Sequence, residues 1–237
     1  MIKKIIYVVG FALLYILILS ITVIIIVFIR QARIDNKINN DISTFIQDKS
    51  FQQAVNVDGL NVITQQVSCG YAVLQMFGDW CGTDVTEESL YEEYEKVVTS
   101  TGNLFCNEMN KQFPQFTTIM HKNCTNTELL SLIYNSLKDG NPVPFEFAAI
   151  YHDNNEDVWT LHYAIITGMD VANDSITVVN PYGYVEKYTI HNFLKATRFD
   201  SYENMPFYLK LAFAFGIFEK NTVFIVKDRD IGKLGGG

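Results

Sequence analysis

His162-Tyr-Ala-Ile-Ile-Thr-Gly168, followed after a short polar loop by Ser175-Ile-Thr-Val-Val-Asn-Pro-Tyr-Gly183, decides the fold. Both runs are short, apolar and rich in β-branched residues, and both end on turn-forming residues. That is the pattern of buried strands. Asp170–Asp174 joins them as a hairpin-like loop, and Asn180-Pro-Tyr-Gly183 is a turn from which Val185–Tyr188 returns as a strand. Upstream, Pro142–Ile150 reads as another strand and His152–Asp157 as a polar loop; downstream, Thr189–Leu194 enters a short helix and Thr222–Val226 is a last strand.

The first half of the chain has a different period. From Cys69 to Trp80, the apolar residues Ala72, Val73, Met76, Phe77 and Trp80 recur at three and four, one face of a helix that Gly82 breaks. Thr86-Glu87-Glu88-Ser89 has the form of a capped helix start, and the helix is expected to run to about Val98. The acidic run Glu87–Glu95 reads as its solvated face. A third helix follows Leu104 through Met109, and Thr125-Asn-Thr-Glu128 opens a fourth that Asp139-Gly-Asn-Pro142 stops. Helices first and strands second predict an α+β domain, a helical lobe packed on an antiparallel sheet. Leu209–Phe218 is apolar but too short to span a membrane, and is expected in the core or as a lip near the site.

At the N-terminus, Lys3 and Lys4 precede an uncharged run from Ile5 to Ile29. As a helix it is about 37 Å long, enough to cross a ~30 Å hydrocarbon core with some tilt. It is longer than a signal-peptide apolar core, and no small-x-small cleavage site follows it. Residues 1–30 are therefore expected to be a transmembrane anchor, 31–58 a polar stalk or linker, 59–230 the folded domain and 231–237 a flexible Gly-rich tail. The flanking charges barely bias orientation. Residues 1–37 hold five basic side chains and one acid, which leaves 13 basic and 25 acidic in the rest. So acidic a domain repels phosphate backbones, and nucleic acid is not an expected partner.

Cys69, Cys81, Cys106 and Cys124 form no CxxC pair, and no Cys/His set has zinc spacing, so neither metal nor cofactor is expected. Cys69 stands out by position. It lies at a Gly-flanked break straight before a helix, where unpaired N–H groups and the helix dipole favour a thiolate and lower its pKa. A thiolate nucleophile needs a base and a group to orient that base. Among His121, His152, His162 and His191, only His162 heads a strand of strong β character. The hairpin brings it to the same end of the sheet as Asn180. A glutamine before the cysteine could complete an oxyanion hole with the Cys69 N–H.

Gln-x3-Cys-Gly, then His-Tyr-Ala-Ile-Ile-x-Gly, then Val-Val-Asn-Pro-Tyr-Gly resembles the papain-like, C39-like cysteine peptidases over roughly residues 60–200. The resemblance implies a papain-like two-lobed fold, with Cys69 as nucleophile, His162 as base, Asn180 as orienter and an oxyanion glutamine. The family's glutamine usually lies about six residues before the cysteine, where this chain has Ile63; Gln65 is preferred here and Gln66 is the fallback. The family often has Asp in the third position, where this chain has Asn180. The activity so implied is cleavage of a peptide or protein substrate by a membrane-anchored, single-pass cysteine peptidase. Its domain is expected on the outer side of the cell membrane. The competing expectation is a catalytically degenerate peptide-binding or immunity module.

Overall fold

The computed structural model describes residues 2–153, 156–199 and 205–229. The Gly-rich tail and the tip of the loop expected at His152–Asp157 lie outside the described residues. Contacts divide the chain into two units, residues 1–40 and 41–237.

Helix α1 (Ile2–Gln47) opens the chain and runs past Arg30 without a break. In the first unit, Phe11, Leu14, Ile18, Ile25 and Phe28 are all exposed. A helix apolar on every face has no stable home in water. It is long and apolar enough to cross a membrane, a test that a signal sequence near an N-terminus also passes.

The second unit is α+β. Its helices are α2 (Cys69–Cys81), α3 (Glu87–Tyr94), α4 (Gly102–Gln112), α5 (Asn126–Lys138), α6 (Ile190–Arg198) and α7 (Phe207–Ala214). Its strands are β1 (Val55–Asn56), β2 (Phe116–His121), β3 (Val143–Asp153), β4 (Glu156–Asp170), β5 (Ser175–Asn180), β6 (Tyr184–Tyr188) and β7 (Val223–Asp228). The sheet is antiparallel, in the order β2-β7-β3-β4-β5-β6, with β1 paired to β4.

Side-chain oxygens cap the helices where the sequence implied. Thr86 accepts from Ser89 N–H and Thr125 from Glu128 N–H, each as half of a capping box, and Ser68 accepts from Tyr71 N–H at the start of α2. Helices α2 and α4 bury their apolar stripes on one sheet face. There Tyr71, Met76, Phe77, Phe105 and Met109 pack with Tyr163, Ile165, Phe224 and Val226. The period of two along β4 sends His162 to the opposite side, edge-on to Phe147.

Several elements differ from expectation. β4 begins at Glu156, so His162 lies inside a long strand rather than at its head. β3 and β4 pair from Val143↔Ile166 out to Asp153↔Glu156, and the polar stretch read as a loop is mostly ladder. The unforeseen β2 pairs with β7 along its whole length. Val55–Asn56, within the stretch read as a linker, pairs with Gly168 and Met169. α3 stops at Tyr94 because Glu95 takes a left-handed conformation (φ 53°).

Candidate active site

Cys69 is the first residue of α2, and the chain before it is tightly fixed. Glu87, at the start of α3, is buried, and its carboxylate accepts from the N–H groups of Gln66 (2.9 Å), Val67 (2.8 Å) and Ser68 (3.1 Å). Its own N–H donates to Gln75 Oε1 of α2 at 3.0 Å. One side chain thus ties α3 to α2 and to the loop that delivers the cysteine. This corrects the reading of Glu87 as part of a solvated face.

The residue after the cysteine must be small. A Cβ on Gly70 would stand 2.2 Å from Thr99 Oγ1 and 2.6 Å from Thr99 Cβ. Thr99 is held there by its neighbours: the Tyr71 hydroxyl donates to Lys96 O (2.7 Å) and accepts from Val98 N–H (3.1 Å).

His162 is 2% exposed. Its Nε2 lies 2.9 Å from Asn180 Oδ1. The orientation of that amide is fixed by two further contacts: Asn180 Nδ2 donates to Glu186 Oε1 (2.8 Å) and Tyr182 N–H donates to Asn180 Oδ1 (3.0 Å). A carboxylate only accepts and a backbone N–H only donates, so the amide has one satisfactory orientation. Because Oδ1 only accepts, Nε2 carries the proton and the neutral ring keeps its lone pair on Nδ1. The Tyr182 ring stacks on the imidazole, centroids 4.1 Å apart and planes 24° apart. Trp159 packs against the cluster of Ala148, Phe199, Met205 and Phe213.

Cys69 and His162 line one cavity of about 470 Å³. Phe199, Phe213 and Phe218 form an apolar side of it, so the Leu209–Phe218 stretch, expected in the core or as a lip, does both: Phe213 and Leu209 pack in a small buried cluster, and Phe213 and Phe218 border the cavity. Burial pushes the Cys69 thiol up, although the Tyr163, Gly70 and Cys69 N–H groups pull it down, and Glu146 raises it further. The lowered pKa expected from the helix start is therefore reversed: desolvation outweighs the dipole. Burial also drives His162 down to about 4, and its bond to Asn180 recovers only part of that. At neutral pH the pair is a neutral thiol and a neutral imidazole.

Gln65 is joined to the same turn, its N–H donating to Pro181 O at 2.7 Å, and its Oε1 is buried without a hydrogen-bond partner. Gln66 is exposed and its Nε2 donates to Thr64 O (3.0 Å), so it is spent locally. All four cysteines are free. The family model described as the Peptidase_C39 like family matches residues 49–209, more than half of the chain. The chain belongs to the Peptidase_C39 like family. No curated protein matches it.

The residues that the family resemblance implied, Cys69, His162, Asn180 and Gln65, all lie within the matched span. The structure joins His162 to Asn180 directly, sets Cys69 and His162 on one cavity, and ties Gln65 to the neighbouring turn through its backbone. Sequence reasoning missed Glu87, Tyr182 and Glu186 in this Peptidase_C39 like domain. The Tyr182 signal was present in Asn-Pro-Tyr-Gly, and Glu186 could have been found by extending the β5–β6 register, where it sits opposite Val178.

Proposed function

We propose that this chain is a cysteine peptidase with Cys69 as nucleophile, His162 as general base, Asn180 as orienter and Gln65 as an oxyanion donor. The observation that carries it is the locked His162–Asn180 pair on the cavity that the helix-start Cys69 lines. The Cys69 S–H proton passes to His162 Nδ1 as the sulfur attacks the substrate carbonyl, so charge develops only on reaction. The tetrahedral oxyanion is met by the Cys69 N–H and Gln65. The imidazolium then gives its proton to the leaving amine, and an acyl-enzyme remains on sulfur. Water, deprotonated by the same histidine, releases the acid and restores the thiol.

The substrate is a peptide or protein, in keeping with the family and with a cleft of this volume. The exposed apolar faces of α1 support a single-pass membrane anchor, and the family resemblance favours an extracytoplasmic domain. The test is cleavage of a peptide library by the full chain in detergent. Loss of cleavage in Cys69→Ala and in His162→Ala, with melting temperature kept, supports the assignment. A Cys69→Ala protein that still cuts the same peptides sinks it.

One observation favours a second function, a non-catalytic peptide-binding module: burial holds the Cys69 thiol protonated. Such a module binds peptides with equal affinity before and after Cys69→Ala and yields no products.

A further inference from the structure

Glu146 is a cavity carboxylate that the chemistry above does not use. It lies on β3, paired with Tyr163 of β4, and lines the same cavity as Cys69 and His162. A Cβ on Gly102 would come within 3.0 Å of Glu146 Oε1, so the carboxylate rests against the first residue of α4. The unpaired N–H groups and positive dipole end of that helix favour an anion there. Its neighbours are the Tyr163 hydroxyl, Thr222 and the Glu219 carboxylate. Glu219 lines the cavity too, but it is engaged by Lys122. Among the described residues that line the cavity there is no lysine or arginine.

We infer that Glu146 is a specificity-determining residue that receives the ammonium or guanidinium group of a basic side chain in the bound peptide. Glu146 is half-buried, and no lysine or arginine among the described residues shifts its carboxyl; a partly desolvated carboxylate gains when a counter-charge arrives. Burial and Glu219 push the Glu146 carboxyl up, the direction an incoming cation reverses. The apolar side of the cavity, with Phe213 and Phe218, suits the methylene stem of the same side chain. The inference rests on this cavity being the peptide cleft proposed above, but not on turnover.

The test uses full-length Cys69→Ala protein in detergent, so that no probe is consumed. Calorimetry compares acetyl-Ala-Ala-Lys amide with its norleucine counterpart, which has the same stem length and no charge. The lysine peptide is expected to bind about 10- to 100-fold more tightly, the worth of a charged hydrogen bond. Glu146→Gln should bring that ratio close to one, and Glu146→Asp should keep most of it. A melting curve checks that each variant folds. If Glu146→Gln does not fold, Glu146→Asp with its shorter reach still has to lower the ratio without abolishing it. Equal affinity for the two peptides overturns the inference, as does a lysine preference unchanged in Glu146→Gln. If the preference depends on Glu146 while wild-type protein cleaves nothing, the peptidase assignment fails and the cation site stands.

Discussion

Burial, more than position on a helix, sets the chemistry of the individual residues. Cys69 has the helix-start N–H groups that ordinarily make a thiolate, yet desolvation wins. His162 shows the same effect with a measurable consequence. An unfolded histidine takes up a proton as pH falls below about 6.5, whereas the folded His162 does so only near 4. Its contribution to stability is thus complete above about 6.5 and is lost as pH falls toward 4, by up to about 3 kcal/mol. Urea unfolding at pH 7 and at pH 4.5 should show this loss in the wild type, and His162→Gln should lose distinctly less. Equal losses in both proteins would mean that the imidazole is not buried neutral. Glu87 gives a second prediction at this scale. Glu87→Ala strips three backbone N–H groups of their acceptor. With partial rescue by water it should cost about 2–4 kcal/mol, read by denaturant titration. Peptide cleavage should fall as well, because the loop that delivers Cys69 is released. A loss below about 0.5 kcal/mol, the level of an ordinary surface substitution, would contradict the role.

At the scale of elements, the sequence disclosed what local chemistry controls. Thr86 and Thr125 announced their helices through capping boxes, and the apolar period placed α2 correctly. The hairpin logic brought His162 to Asn180 although it misjudged where β4 starts, because register depends on the spacing between the strands and not on their ends. What stayed hidden was non-local. β2 is a strand because β7 pairs with it over a separation of about a hundred residues. Glu87 belongs to an acidic stretch whose other members are mostly exposed, and only the fold reveals the three N–H groups waiting for it. The Cys69-Gly70 pair is likewise explained by a neighbour that is distant in sequence. Gly70→Ala drives a methyl group into Thr99, which Tyr71 holds through Lys96 and Val98. Overpacking of this kind costs about 1–3 kcal/mol. Thr99→Ser should recover little of it, since the nearest clash is with Oγ1. A combined Gly70→Ala, Thr99→Gly protein should recover more, although glycine adds its own backbone cost. Melting temperatures of the three proteins decide it; an unaltered Gly70→Ala melt would mean that the Thr99 segment yields freely.

For the whole molecule the open question is what the apolar surface of α1 meets. Residues from Phe11 to Phe28 expose large aliphatic and aromatic side chains on all sides of the helix with no buried core behind them, whereas the second unit, although it exposes Phe215 and Ile217, is built on a buried apolar core. A retained helix of this kind in a bilayer buries every one of those side chains, at roughly 1.5–3 kcal/mol each, and cannot be extracted by alkali or salt. A cleaved signal sequence would leave a chain shortened by about 3 kDa and free of the membrane. Expression of the full chain, alkaline carbonate extraction of the membranes and intact-mass measurement therefore separate the two. We expect the protein in the pellet at its full 27.1 kDa. An impermeant thiol reagent applied to intact cells then reports the side on which the domain lies. Its targets are the partly buried Cys81 and Cys106 as well as Cys69, so Cys69→Ala retains a signal. Labelling of intact cells agrees with an extracytoplasmic domain, whereas labelling only after lysis puts the cleft, and any peptide that enters it, on the cytoplasmic face.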